Sequence, residues 1–341
     1  MFPRLSIIIS TYNSEAFLRG RLENLIAQTM FPQMEVIVVN SGSRQNEELI
    51  VKDFQNRYPN IVYLSTPERE TIYKAWNRGI AIARGTYIAN ANTDDRTRVD
   101  GMEVFAATLD RNPDAAMVYS DQYVTSVAGS GFENDKRKER LVRYPFSRLR
   151  LLAGYFLGSQ QMWRASLHHV DGIWFDEHFE VSGDYDFACR VAERYNVVLV
   201  KDVLGMYYLS ASRSNKQYQN EEQFLSEDSG VRRKYVHRYL ASISEKEFED
   251  LYRRMNLWMC VPRYAYTVLH RTINVIDRRK QILNRIFWCW LGSYMEEKLG
   301  NIERAKMLCR KYSKIPSAAI LRARYRELTN TDIRALDKCN N

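Results

Sequence analysis

Strand-length apolar runs alternate with helix-period segments from Leu5 to Tyr119, and no other feature of the chain restricts its fold so strongly. Leu5-Ser6-Ile7-Ile8-Ile9-Ser10 is the first run; after the polar turn Thr11-Tyr12-Asn13-Ser14, positions Phe17, Leu18, Leu22, Leu25 and Ile26 keep helical spacing. Met34-Glu35-Val36-Ile37-Val38-Val39 repeats the strand signal and ends in Asn40-Ser41-Gly42-Ser43. Residues 47–58 then read as helix and Val62-Tyr63-Leu64 as strand. The order βαβαβ implies a parallel sheet covered on both faces by its crossover helices. A helix over 72–83 closed by Gly85, a strand over Tyr87-Ile88-Ala89-Asn90-Ala91, a helix from about Val99 to Asp110 and a strand at Ala116-Met117-Val118-Tyr119 continue the pattern. The polar strand ends gather on one rim of such a sheet, where α/β proteins bind nucleotides.

That rim lacks the glycines of a dinucleotide site. The turn after the first strand is Ser10-Thr11-Tyr12-Asn13, with no Gly-x-Gly-x-x-Gly, and no Walker loop occurs. A nucleotide diphosphate would therefore be held by side chains and a metal. Asp94-Asp95 follows the fourth apolar run. Adjacent carboxylates repel unless water or a cation intervenes, and one or two carboxylates plus substrate phosphates are the usual Mg2+ ligands. The pair either supplies that metal site or caps the helix beginning near Val99.

Charge is uneven: residues 231–341 hold 24 Lys/Arg against 11 Asp/Glu, a balance of +13, whereas the first 230 residues hold 26 against 30, a balance of −4. The basic tail either meets an anionic surface or is a solvated helical exterior. No apolar run approaches the ~20 residues of a membrane span, and Met1-Phe2-Pro3-Arg4 leads directly into a strand. The expected location is the cytoplasm, free or peripheral at the inner membrane face. Five widely spaced cysteines without ligand-spaced histidines argue against a disulfide framework and against structural zinc.

Several motifs in order resemble the GT-A-fold glycosyltransferases of family 2, of the bacterial polysaccharide type. They are Ser6-Ile7-Ile8-Ile9-Ser10-Thr11-Tyr12-Asn13, Val38-Val39-Asn40-Ser41-Gly42-Ser43, and Ile72-Tyr73-Lys74-Ala75-Trp76-Asn77-Arg78-Gly79-Ile80 with Ala83-Arg84-Gly85-Thr86-Tyr87-Ile88. Thr93-Asp94-Asp95 falls at the family's DxD-like position, and Phe175-Asp176-Glu177 to Gly183-Asp184-Tyr185-Asp186-Phe187-Ala188-Cys189-Arg190 looks like its acceptor-side "ED" motif. The resemblance covers roughly the first 210 residues.

It implies an α/β fold of GT-A type, a Rossmann-like, mostly parallel sheet flanked by helices, with an α-helical C-terminal extension. The expected domains are 1–230, divided into a nucleotide-sugar half (1–123) and an acceptor half (124–230), and a basic helical region over 231–341. The implied reaction is metal-dependent, inverting transfer from a nucleotide-diphosphate sugar to a hydroxyl of a glycan, lipid-linked or other acceptor. The alternative is an inactive scaffold of the same fold that uses the basic tail for a polyanion, membrane surface or partner.

By resemblance Asp95 ligates Mn2+ or Mg2+, Asp94 contacts the ribose or the metal's water shell, and Asp184 is the base, although Asp184 also suits a helix N-cap. Asp186 and Arg190 are spaced for a supporting ion pair. Thr11, Tyr12, Asn13, Asn40, Ser41 and Asn77 are expected around the nucleotide sugar. Lys74 stands where the subfamily commonly has an acid and could reach a phosphate; Arg213 either closes on the diphosphate from a mobile loop or is a solvated cation. Members using UDP-sugars commonly carry an acid where this chain has Ser41. Trp163 could stack on an acceptor sugar or belong to the core. Residues 124–145 lose periodicity and read as a flexible loop shaping acceptor choice. Nucleic acid is not an expected partner; an anionic membrane surface or self-association through the C-terminal helices is. The cluster Ile286-Phe287-Trp288-Cys289-Trp290-Leu291 suits an interfacial helix or a helical core.

Overall fold

The computed structural model describes residues 2–210, 221–260, 278–311, 313 and 320–329. The chain forms two compact units, Met1–Asp228 and Ser229–Asn341. In the first, the alternation read from the sequence becomes β1 (Leu5–Thr11), α1 (Glu15–Ile26), β2 (Met34–Ser41), α2 (Glu47–Gln55), β3 (Ile61–Thr66), α3 (Ile72–Ile82) and β4 (Tyr87–Asn90). These strands lie parallel in the order β3-β2-β1-β4, with Ile7 opposite Val36 and Ala89, and Val38 opposite Tyr63. All eight residues of β2 and nearly all of β1 are buried, which is why they read as continuous apolar runs.

The second half is mixed. It adds β5 (Arg96–Thr97), α4 (Gly101–Arg111), β6 (Ala115–Thr125), β7 (Glu139–Leu141), α5 (Arg148–Ala153), β8 (Gln161–Arg164), α6 (Ser166–His169), α7 (Gly183–Arg194) and β9 (Asn196–Tyr208). β8 inserts antiparallel between β4 and β6, β9 runs parallel to β6, and β5 closes the far edge against β9. The result is a nine-stranded α/β sheet, mostly parallel in its first half.

The reading of 124–145 as a flexible loop needs correction: β7 returns to pair with β6, Gln122 opposite Leu141. Buried Asp121 ties the segment down, one oxygen accepting from Arg140 Nη2 and the other from the Arg143 N–H, each at 2.7 Å. The charged run at 136–140 hid this three-residue strand, because an exposed edge strand carries no apolar alternation. Trp163 belongs to the core. It is buried against Phe175 and Phe187, and its Nε1 donates to His168 Nε2 at 2.7 Å.

The second unit is helical: α8 (Glu221–Ser242), within which the unit boundary falls, then α9 (Glu245–Cys260), α10 (Arg278–Lys298), α11 (Ile302–Lys311) and a further helix over 320–329. Of the cluster at 286–291, Ile286, Cys289, Trp290 and Leu291 are buried with Tyr294 and Met295, so it is a helical core. Glu296, also buried, accepts from Tyr252 Oη, Asn301 Nδ2 and Arg304 Nε at 2.8–2.9 Å. No helix among the described residues is long and apolar enough to cross a membrane. The helix expected from Tyr264 to Ile276 lies outside the described residues.

Candidate functional site

β1, β2 and β4 end at Thr11, Ser41 and Asn90 on one rim, as parallel register requires, and beyond that rim opens a cleft of about 720 Å³. Tyr12, Ser41, Arg69 and Asp94 wall it on the side of the parallel strands; Arg143, Tyr155 and Asp184 come from the second half of the sheet unit.

On the first side the side chains sort into walls and braces. Tyr12 presents its ring to the cleft with the Arg69 guanidinium 4.6 Å from its centroid. Ser41 borders the cleft, and its buried Oγ has no hydrogen-bond partner among the described residues; the same holds for Thr11 Oγ1, just beneath the rim, and for Asn90 Oδ1. Such atoms are costly to leave unpaired, at about 1–3 kcal/mol each, and a polar ligand on this rim would relieve those it reaches. Asn13 and Asn40, by contrast, shape turns. Asn40 Oδ1 accepts the Ser43 N–H at 2.9 Å while its Nδ2 donates to Tyr63 Oη, and Asn13, at φ 51°, accepts from Ser43 Oγ at 3.2 Å. Buried Glu47 ties the two turns together through the Ser14 N–H and Ser43 Oγ.

Asn77 and Lys74 sit on another face of α3, in a separate depression. Asn77 bonds both N–H and C=O of Phe175 and also Glu177 Oε1, so all its polar capacity holds the 175–177 segment. Lys74 pairs with Glu70 at 3.3 Å. Neither borders the cleft. Arg213 lies outside the described residues.

The structure distinguishes the two adjacent carboxylates. Asp95 is fully buried, its Oδ1 accepting the Tyr208 N–H at 3.0 Å and its Oδ2 accepting from Asn92 Nδ2 at 3.2 Å. Asp94 borders the cleft, as does Asn92. Of the expected metal ligand Asp95 and its neighbour Asp94, it is Asp94 that borders the cleft, while Asp95 lies buried behind it. Neither caps a helix, because the residue preceding α4 is Asp100. Beneath the pair lie two arginines that the sequence reading did not single out. Arg21, on the buried face of α1, donates to the carbonyl of Asp95 at 3.2 Å and to Thr97 Oγ1, and Arg96 donates to the carbonyls of Thr93 and Asp95. Burial lowers the Arg21 guanidinium to about 10, against the pull of Asp95. Burial also raises both carboxylates, and for Asp95 the Asp94 charge adds to the rise.

This donor set fits a hard cation. It is all oxygen, and burial raises both carboxyls of the pair, a cost that a bound cation would offset. The chain would thus supply one or two ligands and leave the others to a diphosphate and water, the habit of Mg2+ and Mn2+.

Asp184 faces the cleft from the first turn of α7; the N-cap is Ser182, so capping does not explain Asp184. Its Oδ1 accepts the Tyr185 N–H at 2.8 Å and, at 3.4 Å, shares the Tyr73 Oη proton with Val181 O, which lies 2.6 Å from that hydroxyl. Desolvation pushes its carboxyl up to about 7, against the lowering effect of those donors. Glu227, from α8, accepts the N–H groups of Glu180, Val181 and Ser182 at 2.9–3.0 Å and so fixes the entry to α7. The expected Asp186–Arg190 pair forms at 2.7 Å. Tyr73 and Glu227 had no local signal: one sits inside a helix motif and the other is 43 residues from Asp184.

Comparison with known proteins places these residues in context. Residues 6–168 match the family model described as Glycosyl transferase family 2. An uncharacterized glycosyltransferase of Methanocaldococcus jannaschii is 25% identical over 228 residues, 63% of this chain and 77% of that protein. Two longer curated relatives match as well, and the chain spans only 25–26% of their length. Among solved structures, S. aureus TarS 1–349 in complex with UDP superposes with a TM-score of 0.59 at 18% identity, covering 97% of this chain and 92% of that one. A mannosyltransferase from Pyrobaculum calidifontis in complex with GDP-Man and Mn2+ gives a TM-score of 0.54 at 15% identity, covering 95% and 79%.

Proposed function

We propose, from the match of residues 6–168 to the glycosyl transferase family 2 model and from the GT-A-type fold, that the chain is an inverting, metal-assisted transferase using a nucleoside-diphosphate sugar. The observation that carries the reading is the shared cleft, with Asp94 on one wall and Asp184 on the other. Relatives of this fold have been solved with UDP, with UDP-GlcNAc, and with GDP-Man and Mn2+, which supports a nucleotide sugar as donor.

The proposed division of labour follows from chemistry. Tyr12, Arg69 and Ser41 receive the nucleoside: a ring for stacking, a cation, and a hydroxyl lacking a partner. Asp94, with the Asn92 carboxamide beside it, would hold a divalent cation, and the bound ion would supply charge neutralisation for the departing diphosphate. Asp184 takes the proton of the acceptor hydroxyl. A carboxyl raised to about 7 is a stronger base than an exposed one and is still half ionised near neutrality. Its orientation is set by Tyr73 and the Tyr185 N–H, and a single base acting opposite the leaving group inverts the anomeric centre. Lys74 and Asn77 are left out of this scheme, since one is paired with Glu70 and the other is fully bonded to the 175–177 segment.

Incubation with a panel of UDP-, GDP- and dTDP-sugars and Mn2+, followed by mass spectrometry of released nucleotide and glycosylated product, tests the proposal. Donor turnover that disappears with a chelator supports it. No nucleotide binding by the full chain under any of these conditions would refute it.

A further inference from the structure

Arg143 stands on the cleft wall just after β7, and it makes no ion pair with any described residue. Among the described residues the carboxylate that touches this residue is already committed: Asp121 spends its oxygens on the Arg140 side chain and on the Arg143 backbone N–H. That clamp fixes the main chain and leaves the guanidinium to turn inward. There Gln122 Oε1 accepts from Nη2, while Nε is buried with no acceptor among the described residues. Gly158, at φ +94°, makes room for the arrangement; a Cβ at that position would come within 2.4 Å of Gln122 Oε1 and 2.7 Å of Arg143 Nη2.

The position says which substrate this cation would meet. Tyr155 lies within electrostatic reach of both Asp184 and Arg143, so the three share one end of the cleft, away from the turns after β1 and β2. The parallel-strand side already has its own cation, Arg69, which rests over the Tyr12 ring and makes no ion pair with any described residue. A half-buried charge without a counter-ion is costly unless a ligand supplies one, and the guanidinium fork suits a planar or tetrahedral oxyanion. Burial lowers the Arg143 pKa, in keeping with that lack of compensation.

We propose that Arg143 binds an anionic group, phosphate or carboxylate, on the acceptor, next to the hydroxyl that Asp184 deprotonates. The acceptor class is then an anionic glycan or a polyol or lipid phosphate. This rests on the acceptor-side role given to Asp184 above.

Saturation-transfer NMR on the full chain, loaded with Mg2+ and whichever of UDP or GDP binds more tightly, tests it with methyl phosphate and with acetate as probes. At least one probe should give a signal that falls about fivefold or more in Arg143→Gln, as expected when a charge-assisted bidentate contact is lost. Arg143→Lys should fall between, and Gly158→Ala, which displaces the arginine without removing it, should reproduce the loss. Nucleotide affinity should change by less than roughly twofold in Arg143→Gln, under about 0.4 kcal/mol. Absence of both signals in the wild type, or a signal that survives in a folded Arg143→Gln, would overturn the assignment. So would a parallel loss of nucleotide affinity, which would place the arginine on the donor. If the wild type binds no nucleotide, the transferase reading fails instead, and the same probe titrations on the unloaded protein still decide the arginine's role.

Discussion

Tyr73 lies against Gly183 so closely that a Cβ on residue 183 would come 2.7 Å from the tyrosine ring, and this contact lets the Tyr73 hydroxyl sit 3.4 Å from Asp184 Oδ1. α3 and α7 are thereby locked together at the point where the base is presented. Replacing Tyr73 by Phe removes a donor that favours the ionised form of Asp184, so the acidic limb of the transfer rate, expected near pH 7 in the wild type, should move to higher pH. Gly183→Ala should cost about 1–3 kcal/mol in stability by overpacking. A pH–rate profile for Tyr73→Phe that overlays the wild type would show that the hydroxyl does not tune the base.

The two adjacent carboxylates should behave differently. Asp94→Asn is expected to weaken Mn2+-dependent nucleotide binding by about tenfold or more, roughly 1.4 kcal/mol, because it removes the only carboxylate of the pair that faces the cleft. Asp95→Asn should act mainly on the turn joined to Tyr208 and leave metal-dependent binding closer to wild type. Calorimetry with and without a chelator separates them. Asp95→Asn losing metal dependence while Asp94→Asn keeps it would restore the order first read from the sequence.

Ser41 should govern base discrimination. Its unpartnered Oγ at the end of β2 offers a neutral acceptor where a carboxylate would offer a charged one, and charge-assisted bonds are roughly twice as strong as neutral ones. Wild-type preference among UDP, GDP and dTDP should therefore be shallow, and Ser41→Asp should steepen it toward UDP. A wild-type UDP preference near a hundredfold, about 2.7 kcal/mol, with no gain in the variant, would mean that another group reads the base.

What could and could not be read from the sequence follows from where the forces act. The parallel half was legible because β1, β2 and β4 are buried on both faces and carry their signal locally. Asp94 was a candidate because it follows a strand-length apolar run, whereas Asp184 was reached through the resemblance of its motif to the family's acceptor-side block, its helix-start position alone suggesting only a cap. Which of Asp94 and Asp95 faces the cleft was not legible, since neighbouring residues entering a strand point opposite ways and the choice is made by Tyr208, Asn92 and the arginines below. Arg21 sits among Leu18, Leu22 and Leu25 on the buried face of α1, where it breaks the apolar pattern that defined the helix. Glu227 acts across 45 residues on the Ser182 N–H, and no spacing rule anticipates that.

Asp184 should also reduce stability where it is ionised. Its carboxyl is raised in the folded state, so below the ordinary carboxylate range both folded and unfolded chains carry it neutral and nothing is lost. As pH climbs from there to about 7 the unfolded chain releases the proton first, stability falls, and above 7 the loss is complete. Asp184→Asn should accordingly be more stable than wild type at pH 8, by on the order of 1 kcal/mol after screening by the open cleft, and equal to it near pH 3. Thermal melts at the two pH values check this; a variant less stable at pH 8 would contradict a raised carboxyl.

The most direct test of Asp184 as the base measures transfer and nucleotide affinity together in Asp184→Asn. Transfer should fall by about 10²- to 10⁴-fold, the usual cost of losing a general base, while calorimetric affinity for the nucleoside diphosphate with Mn2+ stays within roughly twofold. Transfer retained within a factor of a few would remove Asp184 from the chemistry and with it the central reading of the cleft.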